Sequence, residues 1–275
     1  MIGKLYGDPQ PRYDEVAQMA YVAAGDDGEP LVMVHGWAAF KEIWWSSMCD
    51  LARDHRSFAP DLPGHGGTAL GACRTIEQLA ERVGQFCDAV VGQPVTLLGH
   101  SMGGDIALAL AHARPDLVRR LVLVDAAVHG EDLPFVTRAY LLPTHGYAAL
   151  RLTIHLCQYT RVLASQVPHI HRGGSFWPTM RRLSYASRYD PDVMHLLLGS
   201  LIRAPLLSYA RAVRVPTLVV SGSLDPLVPA ALSRRLAASI PGARYVELRG
   251  AAHNPMDDQP LAFNRALRTF LEETA

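Results

Sequence analysis

Short aliphatic runs recur along this chain, and their character limits what it can fold into more than any other feature. LVMVHG (31–36), SFAPDLPG (57–64), VTLLGH (95–100), RRLVLVDA (119–126), TLVVSGSLD (217–225) and ARYVELRG (243–250) have strand length and β-branched content. Apolar residues at successive rather than alternate positions suit strands covered on both faces of a parallel sheet. Helix-like segments such as TIEQLAERVGQFCDAV and DIALALAHARP separate most of the runs, which makes a βαβ pattern and an α/β sheet. AQMAYVAAGDDGEP reads as the strand and turn that start it. A chain of 275 residues has room for one large α/β domain, or for such a domain carrying an insertion.

The alternation stops after Asp125. From His129 to Ala212 the residues carry no buried-strand signature, only helix-like pieces rich in Leu, Tyr, Arg and His, broken at Pro143, Pro168, Pro178, Pro191 and Pro205. The expected organisation is a core of residues 1–128 and 213–275 with a helical block, 129–212, inserted between two strands.

Composition excludes several classes. Hydrophobic residues make up 49% and charged residues 19%, and no run approaches the roughly 18 apolar residues of a membrane span. The zero net charge gives no reason to expect nucleic acid as a partner. Cys49, Cys73, Cys87 and Cys157 show neither CxxC spacing nor a pairing pattern, so reduced thiols are expected rather than disulfides or a zinc knuckle. The opening MIGKLYGDPQPRYDE lacks the order of a secretory signal, which makes a cytoplasmic location the expectation.

In VTLLGHSMGG, Ser101 follows an aliphatic strand, opens a helix and has a glycine two residues away on either side. A nucleophile elbow needs this context: a serine on a sharp, strained turn, with Gly99 and Gly103 clearing space around it. The N–H of Met102, free at the helix start, points to where an oxyanion would form. A serine hydroxyl is a weak nucleophile without a base and a group to orient that base. Chain order for this architecture is Ser, acid, His. Asp225 follows one strand in SGSLDPLVP and His253 follows the next in LRGAAHNP, which makes them the candidate orienter and base. Asp125 also follows a strand and stands as the alternative acid. A second oxyanion donor is expected from the N–H of Trp37, after the turn at Gly36.

Taken together, VHGW, DLPGHG, GHSMGG, SGSLDPLVP and GAAHN resemble the α/β-hydrolase superfamily, in its branch of serine esterases with a helical cap inserted after the sixth strand. The resemblance covers nearly the whole chain. It implies a mostly parallel eight-stranded sheet, a triad of Ser101, Asp225 and His253, a small-molecule ester as substrate, and no metal or organic cofactor. Haloalkane dehalogenases and epoxide hydrolases of this superfamily carry an aspartate nucleophile, which Ser101 argues against. Carbon–carbon bond hydrolases usually have Asn at the position of His100 and Trp at that of Asn254. Cofactor-free perhydrolases share the triad, and a ligand-sensing receptor could keep every one of these motifs.

Other residues have plainer readings. His35, His65 and His100 are expected to be hydrogen-bonding groups of the scaffold, and Trp44 and Trp45 packing residues, while the indole of Trp37 is a candidate pocket wall. His169 and His171 form an HxH without a third ligand at a suggestive spacing. The block 129–212 holds nine arginines against four acids, a net charge near +5. Solvated arginines are the ordinary expectation, and one or two facing the pocket mouth, where they would favour an anionic acyl end, the sharper one.

Overall fold

β5 (Val95–His100) lies near the middle of an eight-stranded sheet in the computed structural model, which describes residues 9–126, 133–166 and 185–275. The other strands are β1 (Arg12–Asp14), β2 (Met19–Ala24), β3 (Glu29–Val34), β4 (His55–Pro60), β6 (Val118–Val124), β7 (Thr217–Gly222) and β8 (Arg244–Leu248). Their spatial order is β1-β2-β4-β3-β5-β6-β7-β8. Pairings from β4 across to β8 are parallel, and β2 runs antiparallel to both β1 and β4.

The continuous apolar runs follow from what covers the sheet. Along β3, Val32 and Val34 join one core while Leu31 and Met33 join the other; Leu97 and Leu98 of β5 divide in the same way, as do Leu121 and Val122 of β6. Register carries the division across the sheet, since Val32 pairs with Leu97 and Leu97 with Leu121. Each fully buried side chain of this kind is worth about 1.5–3 kcal/mol. One face is covered by α1 (Trp45–Leu51) and α8 (Pro260–Glu273), the other by α2 (Ile76–Phe86), α3 (Met102–Ala113) and α7 (Ala230–Ser239).

Between β6 and β7 the described residues form helices and no strand. The main ones are α4 (Gly146–Gln166), α5 (Pro191–Arg203) and α6 (Leu206–Ala212). Prolines punctuate them as their chemistry requires: Pro191 takes the first position of α5 behind its cap Asp190, and Pro205 separates α5 from α6. Residues 127–132, which contain the expected start of the block, lie outside the described residues, as do His169 and His171. No single helix among the described residues is long and apolar enough to cross a membrane. All four cysteines are buried, and no disulfide joins them.

Candidate active site

The glycines around Ser101 are demanded by backbone packing. A Cβ on Gly99 would come within 2.2 Å of the Gly103 carbonyl oxygen, and one on Gly103 within 2.4 Å of the Val34 carbonyl oxygen. β5 and α3 therefore meet with no side chain between them, and β3 passes directly beneath. Ser101 joins the two elements at φ 52° and ψ −125°, a conformation that L-residues avoid. It is held there from both sides, because its N–H donates to Val124 O at 2.8 Å and its carbonyl accepts from Gly104 N at 2.8 Å. Met102 is the first residue of α3, so its N–H has no acceptor within the helix.

A second amide comes from the loop after β3, and two buried histidines hold that loop. His35 donates from Nδ1 to Gly36 O (2.8 Å) and accepts at Nε2 from Leu62 N (3.0 Å). His65 donates from Nδ1 to Pro63 O (3.2 Å) and accepts at Nε2 from Ala38 N (3.2 Å). Both rings must be neutral to serve as acceptors. Burial keeps them so, lowering His35 below its ordinary range and, with His35 adjacent, pushing His65 down to about 3. The Ala39 N–H turns back to Gly36 O, so Ala38 and Ala39 both spend their amides within the scaffold, and the amide of Trp37 lies between them and Gly36.

His253, in the loop after β8, donates from Nδ1 to Asp225 Oδ2 at 2.7 Å. This leaves Nε2 as its basic nitrogen. Asp225, beyond β7, is buried, and its Oδ1 accepts from Leu227 N (2.7 Å) and Val228 N (3.0 Å), which fixes the carboxylate plane. His100 donates from Nε2 to the carbonyl of His253 at 2.6 Å, steadying the loop that carries the ring.

Asp125, the alternative acid, lies close by at φ 46°, but its Oδ1 accepts from Gly222 N at 3.0 Å. Burial, then the charge of Asp225, pushes its carboxyl well above the usual carboxylate range. It is Asp225 that accepts the hydrogen bond from Nδ1 of His253. His100, Asp125 and His253 are also the only grouping among the described residues with donor atoms close enough for a cation, within 4.8 Å of one another. Two of those groups are already bound, His100 to the His253 carbonyl and His253 to Asp225.

Ser101, His253 and Trp37 share the wall of a cavity of about 370 Å³ whose far side comes from the helical block, including Leu133, Leu150, Ile154 and Leu198. The Trp37 indole does line it, donating from Nε1 to Met194 O (2.9 Å) and stacking on Tyr140. Trp44 is fully buried against Phe263. Arg138, Arg151, Arg188, Arg203 and Arg211 are exposed and none lines the cavity, so these five do not meet the sharper expectation of arginines at its mouth. The side chains of Arg161, Arg172, Arg181 and Arg182 lie outside the described residues.

Two features escaped the sequence reading. Lys41 and Asp61 form a buried ion pair at 2.7 Å beneath the loop, and Asp61 also accepts from Lys41 N and Gly67 N. Asp105 lines the cavity at 1% exposure. Its signal was present, since it is the only acid in a helix that is otherwise almost wholly apolar.

The family model described as the alpha/beta hydrolase fold matches residues 29–260. The chain belongs to this family. A pimeloyl-[acyl-carrier protein] methyl ester esterase of Neisseria meningitidis is 28% identical over 252 residues, 90% of this hydrolase and 95% of the relative. A pyrrolizixenacetamide deacetylase of Xenorhabdus hominickii is 30% identical over 260 residues, covering 93% and 95% of the two chains. Among solved structures, the enol-lactonase of Burkholderia xenovorans superposes with a TM-score of 0.76 at 26% identity, over 95% of this chain and 100% of that one.

Proposed function

We propose that this hydrolase cleaves a carboxylic ester of small or medium size through an acyl-enzyme on Ser101. The observation that carries the reading is the shared cavity wall: a strained serine and a histidine whose other nitrogen is bound to a buried carboxylate. Relatives named as a methyl ester esterase and an enol-lactonase act on the same bond class, which supports it.

In this reading Ser101 Oγ attacks the ester carbonyl carbon while His253 Nε2 takes the hydroxyl proton. The N–H groups of Trp37 and Met102 receive the developing oxyanion, aided by the positive end of α3. Collapse breaks the bond to the alcohol oxygen, which leaves with the proton from His253. Water then gives a proton to Nε2 and attacks the acyl carbon; a second collapse returns the proton to Ser101 and frees the acid. Asp225 holds the ring in one tautomer and balances its charge when protonated. Residues 129–212 act as a cap over the core formed by 1–128 and 213–275, and the substrate enters between them.

The test is a fluorophosphonate probe with p-nitrophenyl acyl esters of increasing chain length. Wild type should be labelled at Ser101 and turn over repeatedly, and Ser101→Ala should do neither. Ser101→Ala keeping more than about a hundredth of wild-type kcat would refute acyl-enzyme chemistry at this residue. A single slow burst in wild type would point to a sensor instead.

A further inference from the structure

Apart from the groups assigned to the reaction, the cavity wall is largely hydrocarbon, and Asp105 is out of place in it. It sits in the first turn of α3, a helix in which residues 102 to 111 are all buried. Its Oδ1 has no hydrogen-bond partner among the described residues, and none of their cations is paired with the carboxyl. An acid in a first helical turn usually accepts a free N–H of that turn, or faces water near the dipole's positive end. Oδ1 of Asp105 does neither. A buried carboxyl oxygen without a partner is unfavourable for folding, and a structural role leaves Oδ1 unexplained.

Its position suggests what it serves. Asp105 follows Ser101 by four residues, about 6 Å along the chain axis, and a helical side chain leans toward the N-terminus, here the serine end. Both residues line the one cavity. We propose that Asp105 forms a polar subsite that selects substrates carrying an uncharged hydrogen-bonding group, an amide or a hydroxyl, about one helical turn from the scissile carbonyl.

The chemistry of the wall decides the class. Burial alone pushes the Asp105 carboxyl well above its usual range, so it presents one O–H donor and one carbonyl acceptor side by side. An amide or hydroxyl answers both. An anionic group would find no lysine or arginine on the wall among the described residues. An ammonium would require Asp105 to ionise at 1% exposure in a wall that is mostly apolar. A purely hydrocarbon acyl chain would leave the carboxyl unpaired, and that is the discrimination the subsite supplies.

This subsite rests on the esterase reading, and the experiment separates the two. The aryl ester of N-acetyl-β-alanine is compared with the ester of its branched hydrocarbon isostere, on wild type, Asp105→Leu and Asp105→Asn. The amide-to-hydrocarbon ratio of kcat/KM should fall about tenfold or more in Asp105→Leu. Asp105→Asn keeps a donor and an acceptor and should hold the ratio within a few-fold. An unchanged ratio in Asp105→Leu, with Ser101 still labelled by fluorophosphonate, overturns the subsite and leaves the esterase intact. If wild type is neither labelled nor active, the esterase reading fails, and calorimetry with N-acetyl-β-alanine amide decides the subsite: weaker binding to Asp105→Leu upholds it, equal binding overturns it. Asp105→Ala gives the same comparison should leucine not be accommodated.

Discussion

Replacing His65 by Phe tests whether a ring some distance from the reacting atoms sets the geometry of the Trp37 amide. Phe keeps the edge contacts that His65 makes with His35 (5.0 Å) and Tyr189 (5.1 Å). It removes the acceptor of Ala38 N–H and the donor to Pro63 O. Two backbone groups orphaned at about 1 kcal/mol each give a loss of about 2 kcal/mol near neutral pH. Acid changes the comparison. The folded-state pKa of His65 is depressed to about 3 from an ordinary 6.5, so the wild-type ring adds stability above 6.5 that is lost as pH falls toward 3. That loss runs at about 1.4 kcal/mol per pH unit, hence about 2 kcal/mol by pH 5, where the variant should draw level with wild type. Urea titrations near pH 7 and pH 5 measure both values. With the Trp37 amide as the proposed oxyanion donor, kcat at neutral pH should fall about tenfold to a hundredfold, since one such donor is worth that much or more and here it would be loosened rather than deleted. A variant with wild-type kcat and the same stability deficit at both pH values would refute the assignment of His65 as the neutral clamp of this loop.

Four further outcomes are expected. Asp225→Asn should lower kcat by about three to four orders of magnitude, whereas Asp125→Asn should stay within about tenfold, as steady-state kinetics on a p-nitrophenyl ester will measure. Asp125 has a raised folded-state pKa, so its stabilising contribution is complete at low pH and lost as pH rises; Asp125→Asn should therefore gain on wild type in denaturant titrations above about pH 4. Gly103→Ala drives a methyl into the carbonyl oxygens of Val34 and His35, and chemical denaturation should show a loss of at least about 3 kcal/mol or failure to fold. Lys41→Met strands the buried Asp61 carboxylate, and the same assay should find a loss of about 3 kcal/mol.

The strands that carry the site were legible because they are central: residues facing two cores must be apolar at every position, as in Leu97 and Leu98. β1 was not, since Arg12 and Tyr13 are exposed and three residues cannot show a period. Ser101 could be found from its immediate neighbours, because an elbow is a local demand on the backbone. His65 was legible as a hydrogen-bonding group of the scaffold, but its partner was not, for Ala38 lies 27 residues away and only the fold brings them together. The pairing of Asp61 with Lys41 was hidden in the same way. Asp105 was visible as an acid among aliphatic residues, but a buried position and an exposed one look alike until the helix has a partner on each side. Asp225 was already preferred to Asp125 from its place in the chain order; what spacing does not encode is the bond from His253 Nδ1 to its Oδ2.

The order in which the sheet is built has a consequence during synthesis. Ser101 and the amides of Trp37 and Met102 follow β3 and β5, which leave the ribosome before the helical block, while Asp225 and His253 follow β7 and β8, at the far edge of the sheet. On the proposed mechanism, a nascent chain that has paired β1 to β6 would hold a strained serine with no base to deprotonate it. Reactivity would then be withheld until the last two strands dock, and recovery of turnover in a refolding experiment would mark the closing of that edge rather than the collapse of the core.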